Sequence, residues 1–127
     1  MSKTDFDFFL GPLRSAREGG ERALRFQVAP QHLTDQGMMA ESLLTALAAR
    51  LLGLCAESDV DEPETVSRPA LLSLSCDVVG QVGDGDMLEG DARIMRQTRT
   101  LLFVSGELCR EGKPVVVATG IWKKRAA

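Results

Sequence analysis

Between Met38 and Cys55 run 18 residues in which only Glu41 and Arg50 are charged and most of the rest are Met, Leu or Ala. Two charges inside the run, Arg50 well within it, make a membrane span costly. Leu and Ala are strong helix formers, and neither Gly nor Pro occurs from Met38 to Leu52, so the run predicts a helix. Gly53 marks its C-terminal break or a tolerated late glycine. Thr34 and Asp35, just upstream, are the expected N-cap residues. A helix that is apolar on nearly every side should be surrounded by protein.

The second half of the chain supplies the surroundings. Leu71 to Gly80 sets apolar residues at 72, 74, 76 and 78 against Ser73, Ser75 and Asp77, which is strand periodicity. After the turn Gly83-Asp84-Gly85-Asp86, a second strand is expected from Met87 to Thr98, with Leu88, Gly90, Ala92 and Ile94 on one parity. Thr100 to Cys109 and Pro114 to Lys123 read as a third and fourth strand joined by a hairpin at Glu111-Gly112-Lys113. Ala23 to Ala29 is a candidate strand before the helix. The order predicts an α+β domain whose strands form an antiparallel meander around one long helix.

At 127 residues and a net charge of -3, the chain is expected to be a single domain over residues 1-127. Residues 1-22 are expected to pack on the core, and residues 57-69, acidic and holding two prolines, to form a surface loop. One histidine, His32, and three widely spaced cysteines, Cys55, Cys76 and Cys109, leave no metal-ligand pairing and no disulfide framework; buried free thiols are expected, with no metal and no cofactor. Few aromatics and an acidic balance argue against nucleic acid as a partner. The first residues lack an apolar h-region, so a cytoplasmic protein without membrane association is expected.

The run Gly37-Met38-Met39-Ala40-Glu41-Ser42-Leu43-Leu44-Thr45-Ala46-Leu47-Ala48-Ala49 resembles the helix motif of the hot-dog acyl-CoA thioesterases, the group that includes the 4-hydroxybenzoyl-CoA and phenylacetate-pathway enzymes. Their pattern is Asn-x-x-Gly-x-x-His-Gly-Gly followed by an apolar helix with a catalytic acid. Val82 to Asp86, Gln97 to Leu101 and Glu111 to Ala118 are similar to their turn, Gly-Arg-x-Leu crossing and Asp-Gly-x-x-Val-Ala hairpin, and the likeness covers residues 23 to 124. The resemblance implies a hot-dog fold, a long central helix wrapped by a curved antiparallel sheet, assembled as a homodimer or homotetramer that acts on an acyl-CoA or related thioester. With Gly37 on the motif glycine, Thr34 stands where the family has Asn, Ala40 where it has His, Glu41 and Ser42 where it has Gly-Gly, and Ala49 where it commonly has the acid.

Thioester hydrolysis needs a carboxylate to activate water or attack the carbonyl, and backbone N–H groups to hold the oxyanion. Glu41, the one acid in the apolar run, is the candidate general base or nucleophile; the alternative is a first-turn residue favoured by the helix dipole. His32 is a candidate base or an incidental loop histidine, and Thr34 either orients water or caps the helix. Gly37, Ser42 and Thr45 are expected beside the substrate, and Arg99 and Lys113, at strand ends, near the CoA phosphates. The reading is thus an acyl-CoA hydrolase. Its alternative is a non-catalytic module that binds acyl-CoA or an acyl group.

Overall fold

The computed structural model describes residues 14-18, 21-57 and 69-124. Among these residues six strands form one antiparallel sheet: β1 (Arg14–Glu18), β2 (Glu21–Gln27), β3 (Ala70–Val78), β4 (Met87–Gln97), β5 (Leu101–Arg110) and β6 (Lys113–Lys123). One helix, α1 (Glu41–Glu57), packs against β2 through β6, so the sheet curves round it. A single turn of 3-10 helix, Pro30–His32, lies between β2 and α1.

The expected helix, strands and hairpin are present within a few residues of their predicted ends. Along β4 the predicted parity holds: Leu88, Gly90 and Ala92 are buried, Ile94 is half-buried, and Glu89, Asp91 and Arg93 are exposed. Leu44, Leu47, Ala48, Leu51, Leu52, Cys55 and Ala56 bury one side of α1 against Leu24, Phe26, Leu88, Leu102, Val104, Leu108, Val116 and Ala118. The approach is close because two strand positions opposite the helix lack side chains. A Cβ on Gly90 would stand 2.9 Å from Leu51 Cδ2, and one on Gly106 would stand 2.9 Å from Leu52 Cδ2.

Four expectations need correction. The strand order is β1-β2-β4-β5-β6-β3, so β3 pairs with β6 rather than with β4, and only β4, β5 and β6 form a meander. β3 is an edge strand with a register shift between Leu71 and Ser73, and its expected inward face is shared unevenly: Leu74 and Cys76 are half-buried, Leu72 and Val78 exposed. The helix starts at Glu41, not after Thr34, because Gly37 takes a left-handed conformation (φ 78°) and Met38 and Met39 run extended, bridging to Gly83 and Leu33. Finally, α1 is not enclosed on all sides by this chain. Ala46, Ala49 and Arg50 remain half-exposed, and Leu43 and Leu54 pack only in part against the core. Strand β1 lies within the N-terminal segment, residues 1-22, that was expected to pack on the core. The segment Asp5 to Leu13 and residues 58-68 of the acidic loop lie outside the described residues.

Candidate active site

The loop from Leu33 to Ala40 is held in place by backbone bonds on both sides. Thr34 N–H donates to Met38 O (2.8 Å), Gly37 N–H to Thr34 O (3.0 Å), and Met39 N–H to Val82 O (2.9 Å). Thr34 does not cap the helix. Its hydroxyl accepts Gln36 N–H at 3.2 Å, closing a local turn instead. The facing turn is pinned by Asp86, whose carboxylate accepts Gly83 N–H (2.8 Å) and lies 3.4 Å from the Arg110 guanidinium.

Between this loop, the start of α1 and the end of β3 lies an open cavity of about 630 Å³. Buried Met39 and Leu44 line it deeply, Met38, Val78 and Val79 supply exposed apolar surface, and Thr34, Asp35, Gln36, Glu41 and Gln81 add polar groups. Glu41 is the first residue of the helix and is exposed in the single chain. Leu43 and Leu44 N–H both donate to Ala40 O (3.0 Å each), so the first intrahelical bonds begin there. Among the described residues, no acceptor faces the N–H groups of Glu41 and Ser42. Those are the orphan donors every helix start presents, and Ala40 and Glu41, at that start, line the cavity. A carbonyl oxygen seated there would meet two aligned donors and the positive end of the helix dipole.

The cavity unites Thr34 and Glu41 but not the other predicted site residues. His32 is 2 % exposed and packs its ring on Phe26 at 4.9 Å between centroids. Its Nδ1 accepts Ala29 N–H at 3.0 Å, and its carbonyl accepts Ala40 N–H at 3.4 Å. The residue braces the approach to the helix from inside the core and is not among the cavity's lining residues. Gly37 shapes the loop, while Ser42 is exposed and Thr45 half-exposed on α1. Lys113 lies at the cavity's end of the sheet: Val79 and Gly80 N–H donate to Val115 O, two residues further along β6. Arg99 lies at the opposite end, in the turn between β4 and β5. Val78, Val79 and Gln81 were not predicted as lining. The sequence does carry a sign of them, since two consecutive valines before Gly80 break the alternation that precedes them.

Cys55 is buried, and Cys76 and Cys109 are half-buried free thiols. Burial, and then the neighbouring carboxylates, Asp77 for the first and chiefly Glu107 for the second, hold both of the latter above the usual thiol range. Thiols so placed are poor nucleophiles. Among the described residues no group of acids, histidines and cysteines is arranged to hold a metal ion, and no helix is long and apolar enough to cross a membrane.

A family model of the acyl-CoA thioesterase N-terminal domain matches residues 34–122, which span the cavity loop, α1 and all of β3 to β5 with most of β6. The chain belongs to that family. Solved structures give this thioesterase-family chain the hot-dog fold. A variant of the phenylacetic acid degradation protein PaaI from Thermus thermophilus superposes with a TM-score of 0.81 at 24% identity, over 95% of this chain and 99% of the other. The protein smu.793 from Streptococcus mutans UA159, bound to acetyl CoA, aligns with a TM-score of 0.79 at 19% identity, over 91% and 90% of the two chains. A hypothetical thioesterase from Streptococcus pneumoniae TIGR4 with coenzyme A aligns with a TM-score of 0.77 at 16% identity, over 91% and 92%. No curated protein matches the chain in sequence.

Proposed function

We propose that the protein hydrolyses acyl-CoA thioesters in the cavity at the N-terminus of α1. The observation that carries this reading is the meeting of a carboxylate, Glu41, and a hydroxyl, Thr34, around one cavity at the start of a helix whose first amides have no acceptor among the described residues, in a chain of the thioesterase family. Glu41 takes a proton from water as the resulting hydroxide adds to the thioester carbonyl, and the two amides hold the oxyanion. Collapse breaks the C–S bond, and the departing CoA thiolate receives the proton, giving a carboxylic acid and free CoA. In a nucleophilic variant, the Glu41 carboxylate adds to the carbonyl and the C–S bond breaks, releasing CoA thiolate that takes a proton from water; water then cleaves the resulting anhydride to give the carboxylic acid and restore Glu41. Thr34 orients water, Gly37, Ser42 and Thr45 lie along the substrate's approach, and His32 acts through its backbone as a positioning residue. Lys113 meets the nucleotide phosphates, and Arg99 serves such a site only from a partner copy.

The working unit is a homo-oligomer, a dimer or a tetramer. The half-exposed apolar side of α1 and the exposed edge strand β3 support this, because both leave apolar surface that a second copy would cover.

One observation favours a second reading. Ala40 and Ala49 occupy the positions where the resemblance calls for a histidine and an acid, which suits a module that binds acyl-CoA without turning it over. Release of CoA from a panel of acyl-CoAs by the wild type and by Glu41→Gln separates the two. Turnover that falls about 100-fold in the variant supports the hydrolase. Measurable affinity with no turnover at any acyl length supports the binding module.

A further inference from the structure

We infer that the cavity selects acyl groups that are apolar to their far end, and that Asp35 and Glu41 turn away acyl groups ending in a carboxylate. The inference rests on reading the cavity as an acyl-CoA site. Exposed Met38 (39 %), Val78 (37 %) and Val79 (60 %) all gather at this one cavity, beside buried Met39 and Leu44. Such surface gains by covering an apolar chain, and the two flexible methionine thioethers adapt to its shape.

The charged groups of the lining point the same way. Asp35 and Glu41 are both acids, and no lysine, arginine or histidine lines the cavity among the described residues. A second carboxylate carried in on the substrate would lose water without finding a cation, and would face like charge. The same repulsion keeps the CoA phosphates outside. They are left to the β5–β6 hairpin at this end of the sheet, where Lys113 follows Arg110 across the turn. The two kinds of group on the ligand are therefore sorted by sign: apolar acyl inward, anionic nucleotide outward.

Two CoA thioethers, which resist hydrolysis, test this by calorimetry on the full chain: S-hexyl-CoA and S-(5-carboxypentyl)-CoA. S-hexyl-CoA is expected to bind roughly tenfold more tightly, the scale of a like-charge pair largely screened by the water of an open cavity. Asp35→Asn, a change on an exposed loop, should narrow that gap to about threefold. Equal affinities in the wild type, binding of neither thioether, or a gap untouched by Asp35→Asn would overturn the inference. Because no bond is cleaved, the outcome is independent of catalysis. Selective binding without turnover would sink the hydrolase reading alone, and turnover without selectivity would sink this inference alone.

Discussion

The two ends of the sheet treat their backbone polar groups differently. At the Arg99 end, polar groups are tied up locally: the Thr98 hydroxyl accepts Leu101 N–H (3.0 Å), Lys124 N–H donates to Thr100 O (2.8 Å), and Lys124 Nζ donates to Gln97 Oε1 (2.7 Å). At the Glu41 end, two helix amides have no acceptor among the described residues; exposed apolar side chains occur at both ends, Leu71, Leu72 and Met95 at the first and Met38, Val78 and Val79 at the second. Closed polar networks contribute stability, whereas unsatisfied donors and exposed apolar side chains contribute none until something binds. The difference teaches that cations alone do not mark a site. Arg99 and Lys123 make the first end more basic, yet the second end holds the larger cavity, lined by Glu41, and the helix amides without an acceptor among the described residues.

Substitutions at each end sharpen or break this contrast. The largest effect is expected from Glu41→Gln, which keeps the shape of the first helical turn. Its turnover should drop about 100-fold while thermal stability stays within about 0.5 kcal/mol, as for other exposed changes. Asp86→Ala removes the acceptor of Gly83 N–H and the partner of Arg110. Chemical denaturation should register a loss of about 1 to 2 kcal/mol, and because Gly83 pairs with Met38 at the cavity loop, KM should rise as well.

At the closed end, Thr98→Ala is expected to cost about 1 kcal/mol of stability and leave turnover unchanged, the reverse of Glu41→Gln. Smaller again is the difference between two cations. Lys113→Ala should raise KM for an acyl-CoA about threefold, an effect that shrinks in high salt, and Arg99→Ala should not raise it. A matching rise in Arg99→Ala would place a partner's closed end at the cavity and erase the contrast.

The thiols give the subtlest test. Since the folded chain holds Cys76 and Cys109 above the usual thiol range, alkylation should be slow at neutral pH and quicken only at higher pH than for a free thiol. The sign for stability follows: a raised folded pKa contributes stability that is complete below the unfolded thiol's pKa and is lost as pH climbs through the folded value. Denaturation midpoints measured from neutral to strongly alkaline pH would show that decline reduced in Cys76→Ser.

Much of this architecture was legible in the chain because it is local. The apolar run of α1, the alternation through Leu88, Gly90 and Ala92, and the turn at Glu111 and Gly112, both with positive φ, are set by residues close in sequence. The partner of β3 was not legible. Pairing β3 with β6 is a choice between distant segments, and an edge strand with a register shift alternates poorly. The helix start was misjudged because Thr34 and Asp35 satisfy capping preferences that also suit a tight turn, and Gly37 decides between them. For the site, Glu41 stood out as the lone acid of an apolar run. His32 was less readable, since a loop histidine and a buried brace look alike until Phe26 is known to lie against the ring. Val78 and Val79 acquire their meaning only when the fold brings them beside Met38.

The most direct test of the central claim is a map of backbone amide shifts by NMR as S-hexyl-CoA is added to the labelled protein. The largest changes are expected at Glu41 and Ser42, with companions at Met38, Val79 and Gln81 around the same cavity. Shifts concentrated instead at Thr98 to Leu101 and Lys123, with the N-terminus of α1 unmoved, would contradict the account.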